Sequence, residues 1–516
     1  MAESFQKVSV PHRWLIVMVV MSATLMQVID TTIINVALPH MQGSLGASPG
    51  EITWTLTSYL VASAICMPLT GYLSDRIGRK RYVIISIAGF TLVSALCGAS
   101  TSLTELIIFR MLQGVFGAAL VPLSQAILTD IFPPEERGQA MAIWGIGVMV
   151  GPILGPTLGG YLTEVSTWRW TFYVNVPVGI FALLFSYVLP DTPKKARSMD
   201  WLGLLLISLA IGGTQFVLDR GTQDDWFNSP VIQIVTFIAV TGLLGFILHN
   251  FPRRSQVVFD IRIFKDRNFT IAASLLAIFG LGLYGVMVVQ PMMMEGLLNY
   301  PALTTGLAMA PRGISGMISM IVVSRLINRV DPRWLIITGI IICVIGMSVG
   351  THYNLTVSIS WLIWPLLIQG FGLGMVFVPL STVAFSTLPA HLRTEAAGLF
   401  SLLRTIGGAI GISVAITVFT RHAQMLWNHL GGYIQPYNVA VYQYLYQLHL
   451  KPTQPLGTAL LTAEMGRQAN MVAFTNVFAF ISWSFMMMIP LVLLLKKRHK
   501  PRPVGTIEKE QQVMMD

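Results

Sequence analysis

The sequence predicts an all-α polytopic membrane protein, with fourteen transmembrane helices in two pseudo-symmetric six-helix bundles plus two linking helices. Three observations predict it. Hydrophobic residues make up 54% of the 516 and charged residues only 11%, against about 25% charged in a typical soluble domain. Long apolar runs recur along the whole chain, each able to cross a hydrocarbon core of about 30 Å at about 1.5 Å per residue. The third observation is an internal repeat.

The runs cover 14–38, 52–73, 82–99, 104–129, 139–163, 170–189, 201–218, 231–249, 268–292, 303–324, 334–350, 359–386, 395–419 and 471–495; they are spans 1 to 14. Placing the N-terminus in the cytoplasm puts most of the 33 Lys and Arg on the cytoplasmic side, including the clusters DRIGRKR (75–81), KKAR (194–197), RR (253–254) and KKRHKPR (496–502). This bias fixes orientation and an even number of crossings, so both termini are expected to be cytoplasmic. It also accounts for the net charge of +10 without a nucleic-acid partner. The first run is too long for a cleavable signal and lacks a small-residue cleavage site, so span 1 is expected to remain in the membrane. Cys66, Cys97 and Cys343 all lie within spans, which gives neither a disulfide framework nor a metal-ligand spacing.

The repeat pairs span 4 with span 12. RMLQGVFGAALVPLSQAILTDIFPPEERGQA begins at Arg110 and LLIQGFGLGMVFVPLSTVAFSTLPAHLRTEA at Leu366. The resulting domains are a cytoplasmic N-terminus (1–13), a first bundle (14–189), a spacer pair with its linkers (190–267), a second bundle (268–495) and a basic tail (496–516). Two similar halves around a midplane site are the architecture of alternating-access transporters. The outer loop 420–470 is the longest connection, and TALLTAEMGRQANMVAF (458–474) within it reads as a helix entering span 14.

Four stretches carry the chemistry. Span 1 holds QVIDTTIINVALP, where Asp30 is an acid with no cation within ten residues. Span 2 ends in GYLSDRIGRKR (71–81), with Gly71 for close helix contact and Asp75 beside Arg76, Arg79 and Lys80. An acid there can pair with a neighbouring Arg or cap a helix N-terminus, making a cytoplasmic latch. Span 4 carries FRMLQGVFGAA, in which Arg110 is the lone charge between Glu105 and Asp130. In span 5, GIGVMVGPILGPTLGG places Gly147, Gly151, Gly155 and Gly159 on one face. Such a face admits a close neighbour, and Pro152 and Pro156 are expected to bend the rod.

Topology sets the depths. Asp30 lies about 12 Å below the outer end of span 1 and Arg110 about 9 Å below that of span 4. The two are therefore expected to meet. Arg312, about 13 Å deep in span 10, and Arg404, about 13 Å from the inner end of span 13, are further possible cavity charges. Ionisable groups inside spans are functional by default. For an embedded carboxylate, desolvation favours the neutral form and a nearby cation the charged one. Asp30 is accordingly the expected proton-coupling residue, with Arg110 its partner. The polar and aromatic residues Gln27, Asn35, Trp54, Tyr59, Gln113, Gln125 and Gln290 are candidates for substrate binding.

GYLSDRIGRKR matches the loop signature G-x-x-x-D-R-x-G-R-K of the major facilitator superfamily at every defined position, Gly78 included. Arg110, Gln113 and Gly114 resemble its R-x-x-Q-G motif. Gly151, Pro152, Gly155, Pro156, Gly159 and Gly160 lie in a segment similar to the glycine motif of its antiporters. With WRWTFYVNVP (168–177), LDRGTQDDWF (218–227) and fourteen spans, the chain resembles the drug:proton antiporters of the EmrB/QacA type. The resemblance implies export of hydrophobic or amphipathic drugs across the inner membrane, with no cofactor and the proton gradient as the energy source. It also implies a periplasmic membrane-fusion adaptor and a TolC-like outer-membrane channel as partners. The alternative is a proton-coupled exporter of one metabolite, such as a siderophore, fatty acid or amino acid. A channel or receptor fits the latch and the glycine face less well. No phosphate-cradling glycine loop, H-E-x-x-H or paired Cys/His motif occurs, so neither enzymatic chemistry nor a metal is expected.

Overall fold

The computed structural model describes residues 12–133, 135–192, 194, 200–221, 223–250, 261–389, 392–435, 438–447, 449–451 and 454–496. Among them there is no strand. Eleven helices are long and apolar enough to cross a membrane, and one further pair qualifies as a broken span. The remaining runs hold Arg137–Val165 and the shorter Trp170–Leu184.

The first half comprises α1 (Arg13–Leu45), α2 (Pro49–Ile52), α3 (Trp54–Cys66), α4 (Leu69–Ile77), α5 (Arg79–Ala99), α6 (Leu103–Gly117), α7 (Leu120–Ile131), α8 (Arg137–Val165), α9 (Trp170–Tyr173) and α10 (Asn175–Leu184). The spacer pair is α11 (Trp201–Arg220) and α12 (Pro230–Asn250). The second half comprises α13 (Arg267–Pro291), α14 (Ala302–Leu326), α15 (Pro332–Gly350), α16 (Ile359–Ser386), α17 (Arg393–Gly431), α18 (Val439–Gln447), α19 (Pro455–Met486) and α20 (Met488–Leu493).

Short polar caps set where several helices begin. Ser102 accepts from the Glu105 amide, Asp200 from Gly203 and Asp266 from Phe269. Asp331 caps α15 ahead of Pro332, whose missing N–H costs nothing in the first turn. Gly78, at φ 92°, makes the turn between α4 and α5, a conformation that L side chains rarely adopt.

Several apolar runs are not single rods. Span 2 bends by 61° between α3 and α4, where Pro68 has no amide and crowds the carbonyl four residues back. Span 4 breaks at Ala118–Ala119, four residues before Pro122. There the Val121 amide donates to Gln27 Oε1 at 3.0 Å, so α1 satisfies the group that the break sets free. The repeat partner α16 carries Pro379 without breaking. Span 6 breaks at Val174, three residues before Pro177. The expected loop 420–470 is largely helix: α17 runs on to Gly431, α18 lies within it, and α19 starts at Pro455. Gly466 packs on Trp427 and Gly431 on Met465, so the extended ends of α17 and α19 run side by side.

Within the first half α8 packs on α1 and α6 on α3, and in the second half α16 packs between α14 and α15 while α13 packs on α17. The halves meet through α8 with α14 and α16, and through α4 and α7 with α17. The spacer helix α11 packs on α3 and also reaches α17.

Candidate functional site

Asp30 and Arg110 meet as topology requires. Arg110 Nη1 donates to Asp30 Oδ2 at 2.6 Å, and both side chains are fully buried. The pair is the core of a larger centre. Gln113, one turn along α6 from Arg110, donates from Nε2 to Asp30 Oδ1 at 2.9 Å and accepts from Arg110 Nη1 at 2.7 Å. Asn175 at the start of α10 donates to the same Oδ1 at 3.0 Å. The Ser94 hydroxyl of α5 accepts from both amides and donates to the Phe172 carbonyl at 2.9 Å. Arg110 Nε donates to the Thr55 carbonyl at 3.0 Å, and its guanidinium carbon lies 4.3 Å from the centre of the Tyr59 ring.

The carboxylate therefore accepts three hydrogen bonds, from α6 and α10, while its cation is tied to α3. The centre thereby ties α1 to α3, α6 and α10, and removing one partner of such a buried pair costs about 3–5 kcal/mol.

A cavity of about 310 Å³ lies beside this centre. The first half supplies Gln27, Thr31 and Tyr59 to its wall, and the second half Tyr284, Arg404 and Thr405. The spacer helix adds Gln215 and Asp219, and Asp219 accepts a hydrogen bond from Thr57. Asp30 is not in the wall. Tyr59 touches both the cavity and the Arg110 guanidinium and so joins the two.

The glycine face of α8 packs directly on the helix that carries Asp30. A Cβ at Gly147 would meet Met21, at Gly151 Val28, at Gly155 Thr32 and at Gly159 Ile33, while Gly160 leaves ordinary contact with Val36. Thr32 Oγ1 donates to the Gly151 carbonyl at 3.0 Å. The glycines let the two helices approach closely, with Met21, Val28 and Thr32 of α1 seated in the gaps they leave. α8 runs through Pro152 and Pro156, whose side chains lie outside the described residues.

The GYLSDRIGRKR end joins the halves. Gly71 of α4 lies against Glu395 of α17, with no room for a side chain. Arg79 donates to Asp130 at 2.7 Å and to Thr394 Oγ1 at 2.8 Å, and Arg393 reaches Asp130 at 3.1 Å. Asp130 thus bridges an arginine from each half. Arg76 donates to the Tyr72 hydroxyl at 2.6 Å and Lys80 to the Tyr187 carbonyl at 2.8 Å. Asp75 stands at the end of α4 within this group.

The other expected residues are distributed as follows. Gln27 and Tyr59 line the cavity, and Gln113 belongs to the Asp30 centre. Asn35 is exposed on α1. Trp54 packs on Phe216 and Arg220 between α3 and α11. Gln125 is buried against Met141, and Gln290 is buried in α13, both away from the cavity wall. Arg404 lines the cavity, whereas Arg312 is buried on α14 and its backbone abuts Gly370 of α16.

Asn175, Ser94, Asp130 and Asp219 were not among the site residues expected from the sequence. Asn175 and Asp219 lay inside the quoted stretches WRWTFYVNVP and LDRGTQDDWF. An acid closing an apolar run, as Asp219 and Asp130 both do, was the available signal.

The family model of the Major Facilitator Superfamily matches residues 20–412. The chain is 34% identical over 500 residues to the probable multidrug resistance protein EmrY of Escherichia coli, covering 95% of this chain and 97% of that protein. It is 34% identical over 481 residues to the multidrug export protein EmrB of Escherichia coli, covering 92% and 93%. Against the fatty acid resistance protein FarB of Neisseria gonorrhoeae the identity is 33% over 480 residues, covering 92% and 94%. The human organic anion transporter MFSD10 shares the fold, with a TM-score of 0.59 at 17% identity over 92% of this chain and all of that one. The chain belongs to the major facilitator superfamily, among its EmrB-type members, and is a multi-pass protein of the inner membrane.

Proposed function

We propose that this protein is a proton-coupled antiporter that exports hydrophobic or amphipathic drugs, crossing the membrane fourteen times with both termini cytoplasmic. The observation that carries the reading is the buried Asp30–Arg110–Gln113–Asn175 centre set behind Tyr59 in the wall of a cavity shared by both halves. A proton on Asp30 loosens α1 from α6 and α10. A substrate pressing on Tyr59, Gln27 or Thr31 acts on the same helices from the cavity side. The two ligands then compete through one element, which is the coupling an exchanger needs. The relatives named for multidrug export and resistance support the direction of transport.

The energy source in this reading is the proton gradient, without a cofactor. The partners are a periplasmic membrane-fusion adaptor and a TolC-like outer-membrane channel. The helical arm built from α17, α18 and α19 is the proposed adaptor contact, since Tyr433, Tyr442 and Tyr446 stand exposed on it. Deleting residues 430–455 should abolish adaptor co-purification, and unchanged recovery of the adaptor rejects the arm as the contact. The name of the FarB relative favours a second reading, export of one class of metabolite amphiphile.

The test of coupling is drug efflux in everted vesicles energised by a proton gradient. Asp30→Asn should leave the protein in the membrane, because Arg110 keeps Thr55, Gln113 and the Tyr59 ring. Its gradient-driven efflux should fall to background. Wild-type efflux by this variant refutes the role of Asp30.

A further inference from the structure

We propose that Arg404 recognises the anionic headgroup of an amphipathic organic anion, so that the cavity prefers anionic over cationic amphiphiles. The inference rests on the transporter reading above and names the substrate class of its cavity.

The placement of Arg404 follows from the glycines of α17. Gly407 packs on the backbone of Ala277 and Gly411 on that of Leu281, clamping one face of α17 on α13. Arg404, Thr405, Gly408 and Ile412 lie on the adjoining face and line the cavity. Arg404 is buried, 6% exposed. Its Nε and Nη1 have no hydrogen-bond partner among the described residues. The Trp144 ring, 5.8 Å from its centre, is a weak partner for a full charge.

The other charge in the wall is Asp219. It is already engaged: it accepts from Thr57, and the next residue of its helix is Arg220. The cavity therefore presents an acid with a donor and a base with open donors. Leu60, Met67, Val121, Leu218, Ile412 and Ile416 make much of the remaining wall apolar. A buried cation without a counter-charge is costly, and a planar guanidinium pairs best with a carboxylate, sulfonate or similar oxyanion. An apolar chain ending in such a group complements the whole cavity. At about 310 Å³ its size falls in the lower part of the range for drug-sized ligands, about 300–1,000 Å³. Arg312 is also buried with two unpartnered nitrogens, but it does not border the cavity and so has no ligand to meet.

The test compares decanesulfonate with decyltrimethylammonium, which share one tail and carry opposite permanent charges. Binding to the full chain in zwitterionic lipid nanodiscs is measured after subtracting binding to protein-free discs. Wild type should bind the sulfonate at least tenfold more tightly than the ammonium. Arg404→Gln should lose that preference through a tenfold or greater weakening toward the sulfonate alone, and Arg404→Lys should retain part of it. Equal affinities in wild type, or an Arg404→Gln protein that binds the sulfonate as wild type does, overturn the proposal and leave Arg404 as a hydrated structural cation. Should Arg404→Gln not purify as a folded protein, Arg404→Lys decides. Weaker sulfonate binding with unchanged ammonium binding supports the site, and no change in either overturns it. Loss of proton-driven efflux with the binding preference intact is a separate result, bearing on the transport reading alone.

Discussion

Asp30 is held by more than its cation. Gln113 and Asn175 both donate to Oδ1, and Arg110 donates to Oδ2. A carboxylate with three donors fixes its surroundings, and losing one donor has a moderate cost. Asn175→Ala should lower stability by about 1–3 kcal/mol, since it strips a buried acceptor of a partner. It should also slow gradient-driven efflux without abolishing it. A melting curve and a vesicle assay on one preparation check both expectations, and full activity with unchanged stability would place Asn175 outside the centre. The pairing of Asp30 with Arg110 was legible in the sequence, because two lone charges in apolar runs of one bundle must come together. Asn175 was not, because an asparagine near a span end is ordinary and its direction depends on the break at Val174. Gln113 was named for substrate contact, yet its amide serves the acid.

Among the helices, α1, which carries Asp30, packs along the glycine face of α8. The glycines set every four residues along α8 lie on Met21, Val28, Thr32 and Ile33. Gly155→Val would drive a branched side chain into Thr32 and Ile33, at a cost of about 1–3 kcal/mol for overpacking. The expected outcome is a protein that inserts normally but transports slowly. Wild-type efflux by that variant would show that α1 need not shift along α8. The long apolar helices were readable from apolar length, eleven of them, or twelve with the bent pair, among the described residues. Their breaks were harder to read, since proline does not act alone. Pro122 and Pro379 occupy equivalent places in the repeat, yet the first helix breaks and the second does not. The difference on the first-half side is Gln27, which receives the freed Val121 amide.

Over the entire transporter, the halves are fastened at the GYLSDRIGRKR end through Asp130, Arg79 and Arg393, and through Gly71 on Glu395. These ion pairs are partly exposed, so each is worth about 1 kcal/mol or less. A latch of that strength can open within a transport cycle. Asp130→Asn should weaken it, and spin labels on α7 and α17 at this end should report a longer mean separation than in wild type. An unchanged distance distribution would contradict the latch. The two-bundle architecture was visible in the offset of 256 residues between Arg137 and Arg393. The cavity was not. Its wall draws on three separate parts of the chain, and the spacer helix α11 joins it through Gln215 and Asp219. No periodicity in one helix reveals which of its faces a distant helix leaves open.

In the proposed cycle, substrate and proton contend for the Asp30 centre. Proton release on drug addition reads that competition, measured with a pH indicator in weakly buffered detergent solution of the purified chain. Wild type should release protons as drug saturates the cavity, and Asp30→Asn, binding the same drug, should release none. Equal release from the variant, or no release from a wild type that binds drug, would rule out competition at Asp30.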